Sequence, residues 1–181
     1  MIDGTLTNKI PQKISVETDR FHAVYARNIT RVYRLCYLKL GHREDAEDAA
    51  QNVFLRWMKT QKVFLSEEHE KAYFLRAAAN ECINTQKAMR RQMECDPEAL
   101  PDALLSVSEE EAFADSDVLR DDGTQAILQK LPVLYREVLY LYYCEELSTK
   151  AIAKTLSRKE STVRTQLQVG RERLRKLYEE V

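Results

Sequence analysis

Apolar residues recur every three or four positions along most of this chain, with polar residues between them. From Asp19 to Leu40, the residues Phe21, Val24, Ile29, Val32, Leu35 and Leu38 supply one side of a long helix. Asp19 is placed to cap its start and Gly41 to end it. From about Glu44 to Thr60, a second helix turns Ala46, Ala49, Ala50, Val53, Phe54 and Trp57 inward. Its acidic residues come early and its basic ones late, as the helix dipole favours. A third helix, from about Ser66 to Arg91, carries Tyr73, Phe74, Leu75, Ala78, Cys82 and Ile83. After a long polar interval, Gln125 to Leu131 and Val133 to Cys144 predict two short helices, with Pro132 where a first turn tolerates proline. Ser148 then caps a helix bearing Ile152, Ala153 and Leu156. Ser157, Arg158 and Lys159 interrupt it, and Glu160 opens a last helix with Val163, Leu167 and Leu174 on one stripe.

With 4 Gly and 4 Pro in 181 residues, little material remains for the turns of a β protein. The chain is therefore expected to be all-α: two small helical domains joined by an acidic linker. The expected divisions are a loose leader at 1–18, a three-helix domain at 19–93, a linker at 94–123 and a second domain at 124–181. The formal net charge of −1 hides a strong segregation. Residues 1–93 carry 16 basic and 11 acidic side chains, 94–122 carry 1 and 11, and 123–181 carry 11 and 7. Two mildly basic blocks thus flank an acidic strap, in which Val107 to Leu119 has enough apolar residues for a transient helix.

No run of eighteen apolar residues and no signal-peptide core is present, so no direct membrane insertion and a cytoplasmic address are expected. Cys36, Cys82, Cys95 and Cys144 form no C-x-x-C pair and read as reduced packing residues, Cys95 being a candidate exposed thiol. His22, His42 and His69 are scattered, and neither a metal nor another cofactor is expected.

The two closing helices and their short break predict a helix-turn-helix, whose second helix lies in the DNA major groove. That helix presents Ser161, Thr162, Arg164, Thr165, Gln168 and Arg171 away from its apolar stripe. Hydroxyls, amides and guanidinium groups suit base edges and phosphates, although a polar outer face also serves solubility alone. The break lacks glycine.

Two blocks carry a family resemblance. HREDAEDAAQNVFLRWMK with AYFLRAAANECINTQKAMRR resembles the second conserved region of bacterial sigma factors of the extracytoplasmic-function (ECF) group. LQKLPVLYREVLYLYYCEELSTKAIAKTLSRKESTVRTQLQVGRERLRKL resembles their fourth region. The resemblance implies a non-enzymatic factor that binds core RNA polymerase and directs it to promoters. It implies double-stranded DNA contact at the −35 element, single-stranded contact at the −10 element, and help in melting the duplex. An anti-sigma factor is a further partner, since family members are often held inactive by one.

By the same resemblance, Asp45, Asp48, Gln51 and Asn52 dock polymerase, Asn52 standing where relatives usually carry an acid. The residues alone equally allow simple dipole stabilisation and solvation. Asn80 and Asn84 share a helical face, and the match puts Asn80 at the −10 reading position, with Lys87, Arg90 and Arg91 continuing towards phosphates. Tyr73 or Phe74 is expected to stack on an unpaired base, unless both are core. Arg164, Thr165 and Gln168 map to −35 contacts, with Ser161 and Thr162 on the leading turn and Arg171 at the backbone. Val169 and Gly170 replace a common Arg-Ala pair. The acidic linker is expected either to tether the domains, to line a polymerase channel, or to shield the DNA-binding faces through groups such as Glu109, Glu110 and Glu111. Two other readings stand beside this one. The first is a stand-alone helix-turn-helix regulator with an N-terminal dimerisation or sensing bundle. The second is a metal-dependent phosphodiesterase using Asp45, Glu47 and Asp48.

Overall fold

The structure is a computed structural model that describes residues 10–95 and 124–179, with side chains described over 18–91 and 126–179. The described residues form seven helices. The outermost leader residues and the acidic strap lie outside the described residues, and with them the expected helix at Val107 to Leu119 and Glu109, Glu110 and Glu111.

The first helix, α1, runs from Ile10 to Leu40 and so overruns the expected leader. Asp19 lies within it and caps nothing. Pro11 is its second residue, where a missing N–H breaks no helical bond, so proline is compatible with this earlier start. Gly41 ends α1 at φ +82°, its N–H donating to the Tyr37 carbonyl at 2.9 Å. The next helix, α2, spans Arg43–Thr60 and stops at Gln61, which takes the left-handed conformation usually left to glycine. Helix α3 spans Glu67–Cys95, and the Ser66 hydroxyl accepts from the His69 N–H at its start.

An aromatic cluster joins these three helices. Phe74 is completely buried, with its ring centroid 5.0 Å from Phe54 and 5.6 Å from Trp57. Phe21 stacks on Trp57 from α1, and Phe64 closes the cluster from the loop before α3. Burying a ring of this size contributes about 1.5–3 kcal/mol, so the cluster is a main source of cohesion. Beside it, Glu70 of α3 accepts two hydrogen bonds from Arg27 and one from the buried Asn28. Burial works to raise the Glu70 carboxyl, but these donors outweigh it and hold the group below its ordinary range.

Four further helices follow: α4 (Thr124–Gln129), α5 (Val133–Tyr143), α6 (Thr149–Leu156) and α7 (Glu160–Glu179). Pro132 precedes α5 as its cap residue rather than sitting in the first turn, and its carbonyl accepts from Tyr135 and Arg136. Val138, Leu139, Leu141, Ile152, Val163 and Leu167 are buried among α5, α6 and α7.

The two helical units are packed together. The buried apolar set continues from α1 to α3 into α4 to α7. Lys39 of α1 and Glu137 of α5 form an ion pair buried between them. Cys36 and Cys82 are buried free thiols, as expected of packing residues, and the hydrogen bond with Cys82, followed by burial, raises the Cys36 thiol. Cys144 departs from that expectation: it follows the last turn of α5 and is exposed. The Cys95 side chain lies outside the described residues.

Candidate nucleic-acid and protein-docking surfaces

Three polar faces stand out, each on its own helix. On α2, Asp48, Gln51 and Asn52 are exposed, Asp45 is half-buried at the edge, and the helical period places them on one side. Leu55 falls on the same stripe and is 52% exposed, with Met58 nearby at 48%. A leucine held in water beside carboxylates and amides gives this face the mixed character of a protein interface. The sequence reading missed Leu55, because a leucine in a helix is ordinarily assigned to the core. Arg43 donates to Glu47 at 2.8 Å, so Glu47 is engaged along its own helix. Asp45, Glu47 and Asp48 therefore do not converge, and no group of three His, Cys, Asp or Glu residues suited to a metal occurs among the described residues. A groove of about 250 Å³ runs beside this face between α1 and α2, with Tyr25, Tyr33, Gln51 and Phe54 in its walls.

On α3, Asn80, Asn84, Lys87, Arg90 and Arg91 are all exposed. Tyr73, Asn80, Asn84, Lys87 and Arg91 lie along one stripe at helical spacing. Arg76 sits half-buried on the same side between Tyr73 and Asn80, a cation the sequence reading passed over. Tyr73 is half-buried with the Lys62 ammonium 4.8 Å from its ring centre, so an aromatic and a cation lie side by side. Phe74 is different. At 0% exposure, and packed against Phe54, Trp57 and Phe64, it offers no face to a base without unpacking the domain. Phe74 is a core residue, and the expectation that it stacks on DNA is corrected.

Helices α6 and α7 form the helix-turn-helix. The Ser148 hydroxyl accepts from the Ala151 N–H at 3.2 Å and so caps α6. The missing glycine is replaced by Ser157 itself, which adopts φ +54°, while the Arg158 N–H closes the turn onto the Ala153 carbonyl at 2.9 Å. Arg158 also binds Gln166 and Glu137, locking the turn to α7 and α5. The Thr149 hydroxyl donates to Glu160 at 2.7 Å and ties the two helix starts together. That bond, and then the Arg164 guanidinium, hold the Glu160 carboxyl below its ordinary range.

Val163, Gln166, Leu167 and Gly170 form the buried side of α7. Ser161, Thr162, Arg164, Thr165, Gln168 and Arg171 are exposed. Arg164 is paired with Glu160 at 2.8 Å, and the Thr165 hydroxyl donates back to the Ser161 carbonyl at 3.2 Å. The Arg171 guanidinium lies 5.2 Å from the Tyr142 ring centre and 5.7 Å from that of Tyr143. Arg171 is thereby held at the flank of this exposed face of α7. No helix among the described residues is long and apolar enough to cross a membrane.

Comparison with known proteins accounts for both units. Residues 24–93 match the family model for Sigma-70 region 2, and residues 123–174 match that for Sigma-70, region 4. The chain is 29% identical over 180 residues to the ECF RNA polymerase sigma factor SigW of Bacillus subtilis (strain 168), covering 94% of this chain and 95% of that protein. It is 33% identical over 150 residues to the ECF RNA polymerase sigma factor SigE of Mycolicibacterium smegmatis, covering 80% of this chain and 56% of that protein. Its fold resembles that of the sigma factor RpoE from Bartonella quintana, solved in complex with the anti-sigma factor NepR. The TM-score is 0.66 at 17% identity, over 88% of this chain and 97% of the other. With region 2 assigned to the N-terminal unit, nothing favours a dimerisation or sensing bundle there. The chain belongs to the sigma-70 family of RNA polymerase sigma factors, in its extracytoplasmic-function group.

Proposed function

We propose that the three exposed faces divide the work of a sigma factor, which directs core RNA polymerase to promoters. The α2 face, with Asp45, Asp48, Gln51, Asn52 and the exposed Leu55, docks polymerase. The α3 stripe, with Tyr73, Asn80 and Asn84, reads an opened −10 strand, and Lys87, Arg90 and Arg91 hold its phosphates. Helix α7 enters the −35 major groove with Ser161, Thr162, Arg164, Thr165 and Gln168, and Arg171 meets the backbone. The observation that carries this reading is the placement of these groups on separate, solvent-facing helices while their apolar partners are buried.

The energetics suit an assisted opening. Unstacking a base costs a few kcal/mol, roughly, and stacking it on an aromatic returns about 1–3 kcal/mol. With Phe74 in the core, Tyr73 is the aromatic left at this face, so polymerase must supply much of the hold. The chain thus acts by binding and carries out no reaction of its own, and it works beside polymerase in the cytoplasm. An anti-sigma partner is a further element of this reading, motivated by the complex in which the structural relative was solved.

Run-off transcription with purified core polymerase on a library of promoters tests the reading. Specific initiation from a subset of templates is expected, together with capture of polymerase by the chain. A chain that neither binds core polymerase nor changes its template choice would overturn it.

A further inference from the structure

Glu160 opens α7 and is tied from two sides. Its Oε1 accepts from the Thr149 hydroxyl of α6 at 2.7 Å and from the Arg164 guanidinium, one turn along α7, at 2.8 Å. Arg43–Glu47 and Arg175–Glu179 are also i,i+4 pairs, but in both the arginine comes first. Glu160–Arg164 has the carboxylate first, the more favourable order on a helix. Glu160 is also the least exposed of these three carboxylates. An exposed ion pair alone holds little, because both side chains lose freedom for a screened attraction. Here Thr149 already fixes the carboxylate, and the arginine is what remains to be ordered.

Arg164 itself is largely exposed. Glu160 engages one of its terminal nitrogens, which leaves the rest of the guanidinium fork open to a partner. A freely swinging arginine meets any phosphate within reach, whereas one held in a fixed plane can match the paired acceptors of a guanine edge. The helix start is also where a phosphate would otherwise bind, drawn by unpaired N–H groups and the dipole. Glu160 puts a negative charge at that place. Its carboxyl, held below its ordinary range by Thr149 and Arg164, stays charged at neutral pH.

We infer that Glu160 is a positioning residue for −35 recognition: with Thr149 it sets the Arg164 guanidinium towards a base edge and turns phosphates away from the start of α7. This rests on the role proposed above for α7. Glu160 acts through Arg164 and need touch no base itself. Without it, the chain is expected to grip DNA more strongly and to choose among sequences less well.

Polymerase reconstituted with the full-length chain tests this on a promoter library randomised across the −35 element, with the thermal midpoint of each variant followed by circular dichroism. Arg164→Ala identifies the position that Arg164 reads, as the one whose base preference it abolishes. Glu160→Gln is expected to lower the preference at that same position roughly five- to tenfold and to leave the other −35 positions nearly unchanged. It is also expected to tighten binding to unrelated sequences several-fold. In the Arg164→Ala background, Glu160→Gln is expected to change base preference no further. Thr149→Val, which keeps the carboxylate but frees it from α6, should shift the same position in the same direction by a smaller factor. That variant carries the test should Glu160→Gln melt early. A loss spread evenly over the −35 element, or an equal loss in the Arg164→Ala background, would reduce Glu160 to a stabiliser of the helix start and overturn the inference. So would an unchanged preference in a folded Glu160→Gln chain. A wild-type holoenzyme with no −35 preference at all would instead overturn the role proposed for α7, a result read before any variant is made.

Discussion

Gly170 of α7 lies against Leu139 of α5 so closely that a Cβ there would sit 3.2 Å from Leu139 Cδ1 and 3.4 Å from Tyr135 Cβ. Leu139 is itself buried and has little room to retreat. Glycine inside a helix costs about 1 kcal/mol relative to alanine, and here the close approach of two helices offsets that cost. Gly170→Ala is therefore expected to yield less than the roughly 1 kcal/mol gain that helix propensity alone would give. Gly170→Leu is expected to lose about 1–3 kcal/mol by overpacking. Urea unfolding midpoints of the two variants check the pair, and a clear gain in Gly170→Leu would rule out the close packing.

Ser157 is the converse case. It stands at φ +54° in the turn, exposed, where a Cβ is disfavoured. Ser157→Gly is expected to stabilise the helix-turn-helix by about 0.5–1 kcal/mol, because it relieves the left-handed strain and disturbs no buried contact. Differential scanning calorimetry reads the shift, which should be an upward one in Tm.

These two positions show what sequence could and could not convey. The alternation around Ile152, Leu156, Val163 and Leu167 was enough to place α6 and α7, because one buried stripe at helical spacing leaves few other solutions. The fit of Gly170 was not legible, since it depends on how close α5 comes, a fact of tertiary packing. Ser157 went unrecognised as a cap residue because serine rarely takes that conformation and carries no glycine-like signal. The start of α1 was missed for a similar reason: Pro11 reads as a breaker unless it is known to lie in a first turn. Among candidate site residues, the outward positions of α7 followed directly from its stripe. The separation of Tyr73 from Phe74 required the burial itself, because adjacent aromatics on a helix look alike until one meets Phe54 and Trp57. The pairing of Glu137 with Lys39 joins residues 98 apart, and no local pattern announces it.

The Glu70 cluster sets an acid limit on region 2. Its carboxyl is held below the ordinary value of 4.5 by Arg27 and Asn28, so the folded state favours the charged form more than the unfolded chain does. The stability it contributes is complete above the unfolded value and is lost as pH falls through the lower folded value. Glu70→Gln is expected to cost about 1–3 kcal/mol near neutral pH, by weakening the bonds from Arg27 and the buried Asn28. It should also flatten the fall in stability below about pH 4.5. Urea unfolding from pH 3 to 7 measures both effects. An equally steep acid limb in the variant would assign that limb to other carboxylates.

Leu55 offers a direct probe of the α2 face. It is half-exposed and so contributes little to the core, whereas a docked partner would cover it. Leu55→Asp is expected to leave unfolding within about 0.5 kcal/mol of the wild type. Its affinity for core polymerase should fall by roughly tenfold, equivalent to about 1.4 kcal/mol. Asp48→Ala and Gln51→Ala should weaken the same association. Titration of labelled polymerase compares the three variants, and a Leu55→Asp chain that binds as the wild type does would place the contact elsewhere.

Asn80 and Lys87 share one face of α3 but should fail in different ways when replaced. An amide can discriminate bases through paired donor and acceptor groups, whereas an ammonium meets any phosphate. Asn80→Ala is expected to cost about 1–3 kcal/mol on preferred promoters and to relax the base preference at one −10 position. Lys87→Ala should weaken all promoters nearly uniformly and lower the salt dependence of binding by about one phosphate contact. Open-complex formation by the reconstituted polymerase, measured across a −10 library at several salt concentrations, separates these outcomes. If both substitutions act uniformly and alter the salt slope alone, the α3 stripe holds the backbone without reading the sequence. The −10 preference would then have to arise from another part of the chain.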